Sequence, residues 1–395
     1  MAIFAVSRGE KGLGNPMDYY AWQPARIALP DRDIVIAAKP GLPDTLIAEQ
    51  LLAESISVRP GERVLDLRCG TGLVGAALLW RGADVTLRDD HVVAVEAAKR
   101  TLALNGLTAD VTAGEPASRA SLETYDAAII NAPKGREVGR RLLRLAARSL
   151  KPGGRLIVGG ANRAGVKSLI DDASRAIGVM RVVKIKASHR VAVGTRGGSI
   201  EWPDDPGYAE HAVAVRTRTW RYVSCPGVFA WDRLDDGSRA LIEAMQLHPA
   251  DSVLDLGCGS GLVGLVAAAL ADRVVSVDAS ALAVEAAQRT YQINRVDAAR
   301  ATVLLSDCAS AVFDQTFEAV VTNPPFHQGV GTDYAAAKQF VIDAARVLKP
   351  GGRLWLVANR FLRYERELAD GFADVRVAYQ DNRFRVLTGV KQSKR

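Results

Sequence analysis

Two doubly wound α/β sheets in tandem, products of an internal duplication, are the fold this 395-residue sequence predicts. Three observations carry that expectation. The chain is too long for one ordinary core, and 48% of it is apolar, enough to fill two buried sheets. A glycine-rich turn occurs twice, as Asp66-Leu67-Arg68-Cys69-Gly70-Thr71-Gly72 and Asp255-Leu256-Gly257-Cys258-Gly259-Ser260-Gly261, 189 residues apart. The same offset aligns Asp89 with Asp278 and residues 95–101 with 284–290, and Lys151-Pro152-Gly153-Gly154 returns as Lys349-Pro350-Gly351-Gly352.

Within each copy, short apolar runs alternate with segments of helical period. Residues 252–256 and 273–277 read as buried parallel strands, and 262–270 and 281–292 as the helices between them. Residues 317–322 form a fourth strand that delivers Asn323. A sheet wound this way presents its sites at the carboxyl ends of its strands. Residues 1–197 make the first module and 211–395 the second, and 198–210, in a stretch rich in Gly, Pro and acids, link them.

Composition excludes several classes. The longest apolar run, 262–271, is too short to cross a bilayer, and the amino terminus lacks the shape of a signal peptide. A cytoplasmic monomer with no membrane partner is expected. Cys69, Cys225, Cys258 and Cys308 are too scattered for a zinc knuckle or disulfide framework, and the five histidines show no ligand spacing, so no metal is expected. The net charge of +7 is uneven: residues 1–199 hold 29 Lys+Arg against 20 Asp+Glu. Arg136, Arg140, Arg141, Arg144 and Arg148 fall at helical spacing. Such a stripe is either a solvated helix face or a surface for a phosphate backbone, and its density favours nucleic acid.

The chemistry concentrates in the second copy. Glycines 257, 259 and 261 let backbone approach a ligand where a side chain would collide. The pattern alone also fits dinucleotide sites, but the surrounding spacing favours S-adenosylmethionine. Asp278, ending the second strand, is placed to accept the ribose hydroxyls, with a helix-capping carboxylate as its plainer reading. Asp307, with Cys308 beside it, would take the adenine amino edge, and Asp255 the methionine ammonium, directly or through water. About 70 residues after the glycine turn stands Asn323-Pro324-Pro325-Phe326. Its paired prolines fix φ twice and leave carbonyls free beside an amide and an aromatic ring. That set suits an exocyclic amine on a flat base: oxygens accept its hydrogens while Phe326 stacks.

The second copy resembles class I methyltransferases. Gly227-Val228-Phe229, Leu234-Asp235-Asp236-Gly237-Ser238, Asn323-Pro324-Pro325-Phe326-His327, residues 357–362 with Tyr364, and Asn382-Arg383-Phe384 are similar to the bacterial ribosomal RNA guanine-N2 methyltransferases. The resemblance implies two tandem Rossmann-like class I methyltransferase domains, the first degenerate. It also implies methyl transfer to a guanine N2 amine, with Asn323, Pro324, Pro325 and Phe326 catalytic and ribosomal RNA or a ribosomal subunit as partner. 16S RNA is the first expectation and 23S RNA the alternative; His327-Gln328 and Asn359-Arg360 lean towards the latter. His327 is expected to shape the loop. In the first copy Arg68 replaces a glycine and Asn131-Ala132-Pro133-Lys134 replaces the Asn-Pro-Pro-Phe run, so that copy is expected to hold RNA rather than react. A DNA adenine or release-factor glutamine methyltransferase, and a non-catalytic RNA-binding assembly protein, are the competing readings. The phenylalanine and the intact second site count against them.

Overall fold

The computed structural model describes residues 19–42, 45–115, 122–198, 207–325, 331–362 and 364–392. Phe326, His327 and Gln328 therefore lie outside the described residues, as does most of the expected linker.

An antiparallel hairpin, β1 (Gln23–Ala28) and β2 (Asp33–Ala38), precedes the first sheet. That sheet contains β3 (Arg63–Leu67), β4 (Asp84–Asp89), β5 (Asp110–Ala113), β6 (Tyr125–Asn131), β7 (Leu150–Ala161), β8 (Arg181–Lys186) and β9 (His189–Thr195). Its spatial order is 5-4-3-6-7-9-8, parallel from β5 to β7 and antiparallel beyond. A second hairpin, β10 (Ala209–Val215) and β11 (Arg218–Ser224), leads into β12 (Ser252–Leu256), β13 (Arg273–Asp278), β14 (Ala301–Leu305), β15 (Phe317–Thr322), β16 (Leu348–Asn359), β17 (Phe372–Gln380) and β18 (Phe384–Lys391). Their order, 14-13-12-15-16-18-17, repeats the first sheet strand for strand. The fold is thus two tandem α/β domains of one topology.

The central strands β3 and β12 explain why the sequence shows runs rather than alternation. Val64–Leu67 and Val253–Leu256 are buried on both faces, because helices cover both sides of each sheet. Each strand ends in the glycine turn and passes into an apolar helix, Leu73–Trp80 or Leu262–Ala268.

The domains meet where their second strands end. Asp90 Oδ1 accepts from Leu282 N at 2.8 Å and Oδ2 from Ser280 Oγ at 2.7 Å, so a first-domain carboxylate caps the second-domain helix Ala281–Ile293. Val92 N donates back to Ala279 O at 2.8 Å. Cavities beside the two glycine turns share Gly41, His91 and Gly227 along this seam.

The arginine stripe does not lie free. On the helix Arg136–Ser149, Arg136 and Arg140 both bind Asp172 of the neighbouring helix, Arg141 pairs with Glu115, and Arg144 is buried. The helix lies on its sheet, so these long side chains cover apolar surface and their heads reach nearby acids. Arg136 and Arg148 remain exposed, whereas Arg140, Arg141 and Arg144 are partly or fully buried, so the five do not form one open face.

Candidate active site

The second glycine turn is built by backbone hydrogen bonds. Gly257 N and Cys258 N donate to Val277 O at 2.9 and 3.0 Å, and Gly259 N donates to Asp278 Oδ2 at 2.8 Å. Gly257, Gly259 and Gly261 have φ of +78°, +53° and +77°, values that side chains rarely adopt. Each glycine has a different task. A Cβ on Gly259 would meet nothing within 4 Å, so its backbone faces open space. A Cβ on Gly257 would come within 2.8 Å of Phe340. A Cβ on Gly261 would come within 2.7 Å of Ala287 Cβ, and Gly261 does not line the cavity. Gly261 was expected among the cofactor-binding glycines; in the structure its bare Cα permits close packing of the following helix.

The cavity beside this turn measures about 660 Å³ and gathers Asp255, Gly257, Cys258, Gly259, Asp278, Asp307, Cys308, Asn323, Pro324 and Pro325. All the other expected site residues within the described part of the chain are therefore neighbours. Phe340, Asn359, Phe384 and Tyr19 also line it. Phe340 and Tyr19 carry no motif, and sequence reading missed them.

Asn323 sits at the end of β15. Its Nδ2 donates to Asp235 Oδ2 at 3.0 Å and to Ser238 Oγ at 2.9 Å. Asp235 is also the N-cap of the helix Asp236–Ala244, accepting from Ser238 N at 2.8 Å. A helix cap thus orients the amide. With both amide hydrogens committed, Asn323 presents its oxygen to a ligand.

The three acids differ in their surroundings. Asp278 accepts from Gly259 N and from Ser280 N at 2.9 Å, and burial raises its pKa. The N-cap of the following helix is Ser280 rather than Asp278, so the capping reading does not hold; the Asp278 carboxylate braces the two turns and borders the cavity. Asp255 accepts from Gly264 N at 2.8 Å, and burial pushes its pKa up to about 7. Behind Asp255, Ser276 Oγ and Tyr291 Oη are joined at 2.6 Å. Asp307 is engaged by Lys39 and Tyr19 from the first domain.

The first copy keeps the turn and fills it. Arg68 N and Cys69 N donate to Arg88 O at 2.8 and 3.0 Å, and Arg68 holds φ +69°, the glycine conformation without glycine. Its guanidinium reaches Asn131 O and Ala132 O, both at 3.3 Å. The buried Glu49 carboxylate lies over the turn, accepting from Thr71 N at 3.1 Å. A Cβ on Gly70 would stand 2.1 Å from Glu49 Oε1, where its counterpart Gly259 faces open space. Arg68 was expected as an obstruction. Glu49 was not, because nothing in its helical context marks it.

Fold and site together define a class I methyltransferase; a cavity lies beside each glycine turn, but only the second turn is uncovered, since Glu49 lies over Gly70 while Gly259 faces open space. The family described as Methyltransferase small domain matches residues 45–192 and 219–388. Ribosomal RNA small subunit methyltransferase C of Chromohalobacter salexigens is 35% identical over 269 residues, 67% of this chain and 78% of that one. The protein of the same name from Hahella chejuensis is 31% identical over 326 residues, 80% of this chain and 91% of its own. The solved structure of the T. thermophilus 16S rRNA N2 G1207 methyltransferase, in complex with AdoMet and guanosine, superimposes with a TM-score of 0.82 at 28% identity, covering 95% of this chain and 100% of that one. The chain belongs to the methyltransferase small domain family and, within it, to the group of ribosomal RNA small subunit methyltransferase C.

Among the described residues no helix is long and apolar enough to cross a membrane, and no cluster of His, Cys, Asp or Glu could hold a metal.

Proposed function

We propose that the second domain transfers a methyl group from S-adenosylmethionine to the exocyclic N2 amine of a guanine in 16S ribosomal RNA, with the first domain helping to hold the RNA. The observation that carries this reading is the Asn323 amide, anchored by Asp235 and Ser238 and turned oxygen-first beside the glycine turn. Open space over Gly259 and the carboxylate of Asp278 suit a ribose next to the turn. Asp307 and Cys308 lie at the edge assigned to adenine, and Asp255 behind the turn suits an ammonium. When bound, S-adenosylmethionine supplies a methyl group activated by cationic sulfur.

The residues then have one task, which is orientation. A guanine N2 lone pair is delocalised into the ring. Hydrogen bonds from the amine to Asn323 Oδ1 and the Pro324 carbonyl would turn that lone pair out of conjugation and hold it in place. The rigid Pro324-Pro325 pair keeps those acceptors from relaxing. Transfer leaves a cationic, acidic nitrogen, so its proton departs afterwards and no strong base is needed.

The test is to incubate the protein and labelled S-adenosylmethionine with undermethylated small subunits, large subunits and their naked RNAs, and to map the modified nucleotide. Label at a guanine N2 of 16S RNA is expected. Label confined to 23S RNA would replace the substrate, and no label on any of them would remove the reading. Asn323→Ala should abolish transfer while RNA binding stays within about twofold, since it removes only an orienting acceptor.

A further inference from the structure

The adenine end of this pocket is not closed by the second domain alone. Lys39, just past β2 of the first domain, forms an ion pair with Asp307 Oδ2. Tyr19 Oη donates to the other oxygen, Oδ1, at 3.2 Å, and accepts from Cys308 Sγ at 3.4 Å. The Lys39 side chain is 1% exposed, and its ammonium lies 4.2 Å from the ring centre of Tyr19 and 4.9 Å from that of Tyr20. Tyr19 and Asp307 line the cavity, whereas Lys39 does not, so the lysine reaches the carboxylate from behind. Tyr20 extends the same contact, donating to Asp343 Oδ2 at 2.5 Å on the helix Gly331–Val347 that also carries Phe340.

We propose that Lys39 is a positioning residue for cofactor recognition, contributed by the catalytically degenerate domain. It fixes the Asp307 carboxylate so that its exposed edge meets the 6-amino group of adenine. This rests on the assignment of Asp307 to the adenine edge. An aromatic enclosure fixes the ammonium; Lys39 on Oδ2 and Tyr19 on Oδ1 each use one lone pair, and the carboxylate keeps acceptor capacity on its cavity-facing edge. The first domain therefore completes the cofactor site as well as being the proposed RNA support.

The experiment is a ligand cycle by calorimetry on the full chain. S-adenosylhomocysteine and its analogue lacking the 6-amino group are titrated into the wild type and Lys39→Met. Tight binding of S-adenosylhomocysteine by the wild type establishes the pocket itself; its absence would overturn the site assignment rather than the role of Lys39. Lys39→Met should bind S-adenosylhomocysteine about tenfold more weakly, a loss typical of a disturbed charge-assisted contact. It should bind the deaminated analogue as well as the wild type does, and Lys39→Arg should recover most of the loss. In turnover, KM for S-adenosylmethionine should rise with kcat unchanged. Equal losses for both ligands, or none for either, would overturn the proposal. If Lys39→Met is unstable through its unpaired carboxylate, the Lys39→Met/Asp307→Asn pair must bind S-adenosylhomocysteine as Asp307→Asn does; any further loss overturns it as well.

Discussion

Gly70 and Gly259 occupy the same turn in two copies of one domain, at φ of +57° and +53°. Over Gly259 there is open space; over Gly70 lies the Glu49 carboxylate, with Arg68 reaching across to the Asn131 loop. The backbone that cradles a ligand is therefore preserved in both, down to the paired donations into Arg88 O and Val277 O. Side chains separate an open turn from a covered one, with a cavity of about 580 Å³ remaining beside the covered turn and one of about 660 Å³ beside the open one. Losing a site does not require losing its fold, because the turn also closes the sheet and packs Gly72 on Ala98 as Gly261 packs on Ala287. Packing alone is reason enough to keep Gly72 and Gly261.

The largest expected contrast is at the paired asparagines. Asn323→Ala should reduce kcat by about a thousandfold, since orientation of the amine supplies most of the catalysis required here. Asn131→Ala should change it less than twofold. Asn131 is buried, its Nδ2 has no hydrogen-bond partner among the described residues, and Arg68 occupies its carbonyl. A comparable loss from Asn131→Ala in single-turnover kinetics would mean that both copies take part in the reaction.

A smaller effect should follow from emptying the first pocket. Glu49→Ser with Arg68→Gly removes both plugs and restores glycine at a position already holding φ +69°. Calorimetry should then find a second, weak site for S-adenosylmethionine, raising the stoichiometry from one to two. A folded double variant that still binds one equivalent would show that plugging does not explain the silence of the first copy.

How much of this could be read from sequence follows from what duplication makes visible. The alternation of strands and helices, the two turns, the strand that delivers Asn323 and the grouping of Asp255, Asp278, Asp307 and Asn323 at strand ends rest on local patterns and were legible; the spatial order of the strands was not. Nor were three further features. Glu49 plugs the turn from a separate helix, and Lys39 and Tyr19 act across a domain seam; neither relation has a sequence period. The arginine helix misled for a related reason. Charge counts see Arg136, Arg140, Arg141 and Arg144 but not the Asp172 and Glu115 that meet them in three dimensions. Asp235 and Ser238 lie in a run that resembles the family, yet their hold on Asn323 arises only when their helix start folds against the end of β15.

The last difference between the copies lies behind the turns and is read in the stability of the cofactor-free chain. Ser276 and Tyr291, bonded to each other near Asp255, are replaced at the same offset by Leu87 and Leu102 near Asp66. Gly264 N bonds Asp255 Oδ2, whereas Asp66 Oδ2 has no partner among the described residues. Burial accordingly raises Asp255 to about 7 and Asp66 well above its ordinary value of 3.8. A carboxyl that holds its proton more tightly when folded contributes fully below its unfolded pKa. That contribution falls by about 1.4 kcal/mol per pH unit until the folded pKa is passed. Asp255→Asn should therefore flatten the wild-type decline in stability between pH 5 and about 7 and leave it unchanged above. Asp66→Asn should likewise flatten the decline as pH rises from 5, because burial raises this carboxyl too. Denaturant unfolding at a series of pH values from 5 upward checks both. A wild-type decline that survives either substitution unchanged would mean that burial does not hold that carboxyl protonated in the folded chain.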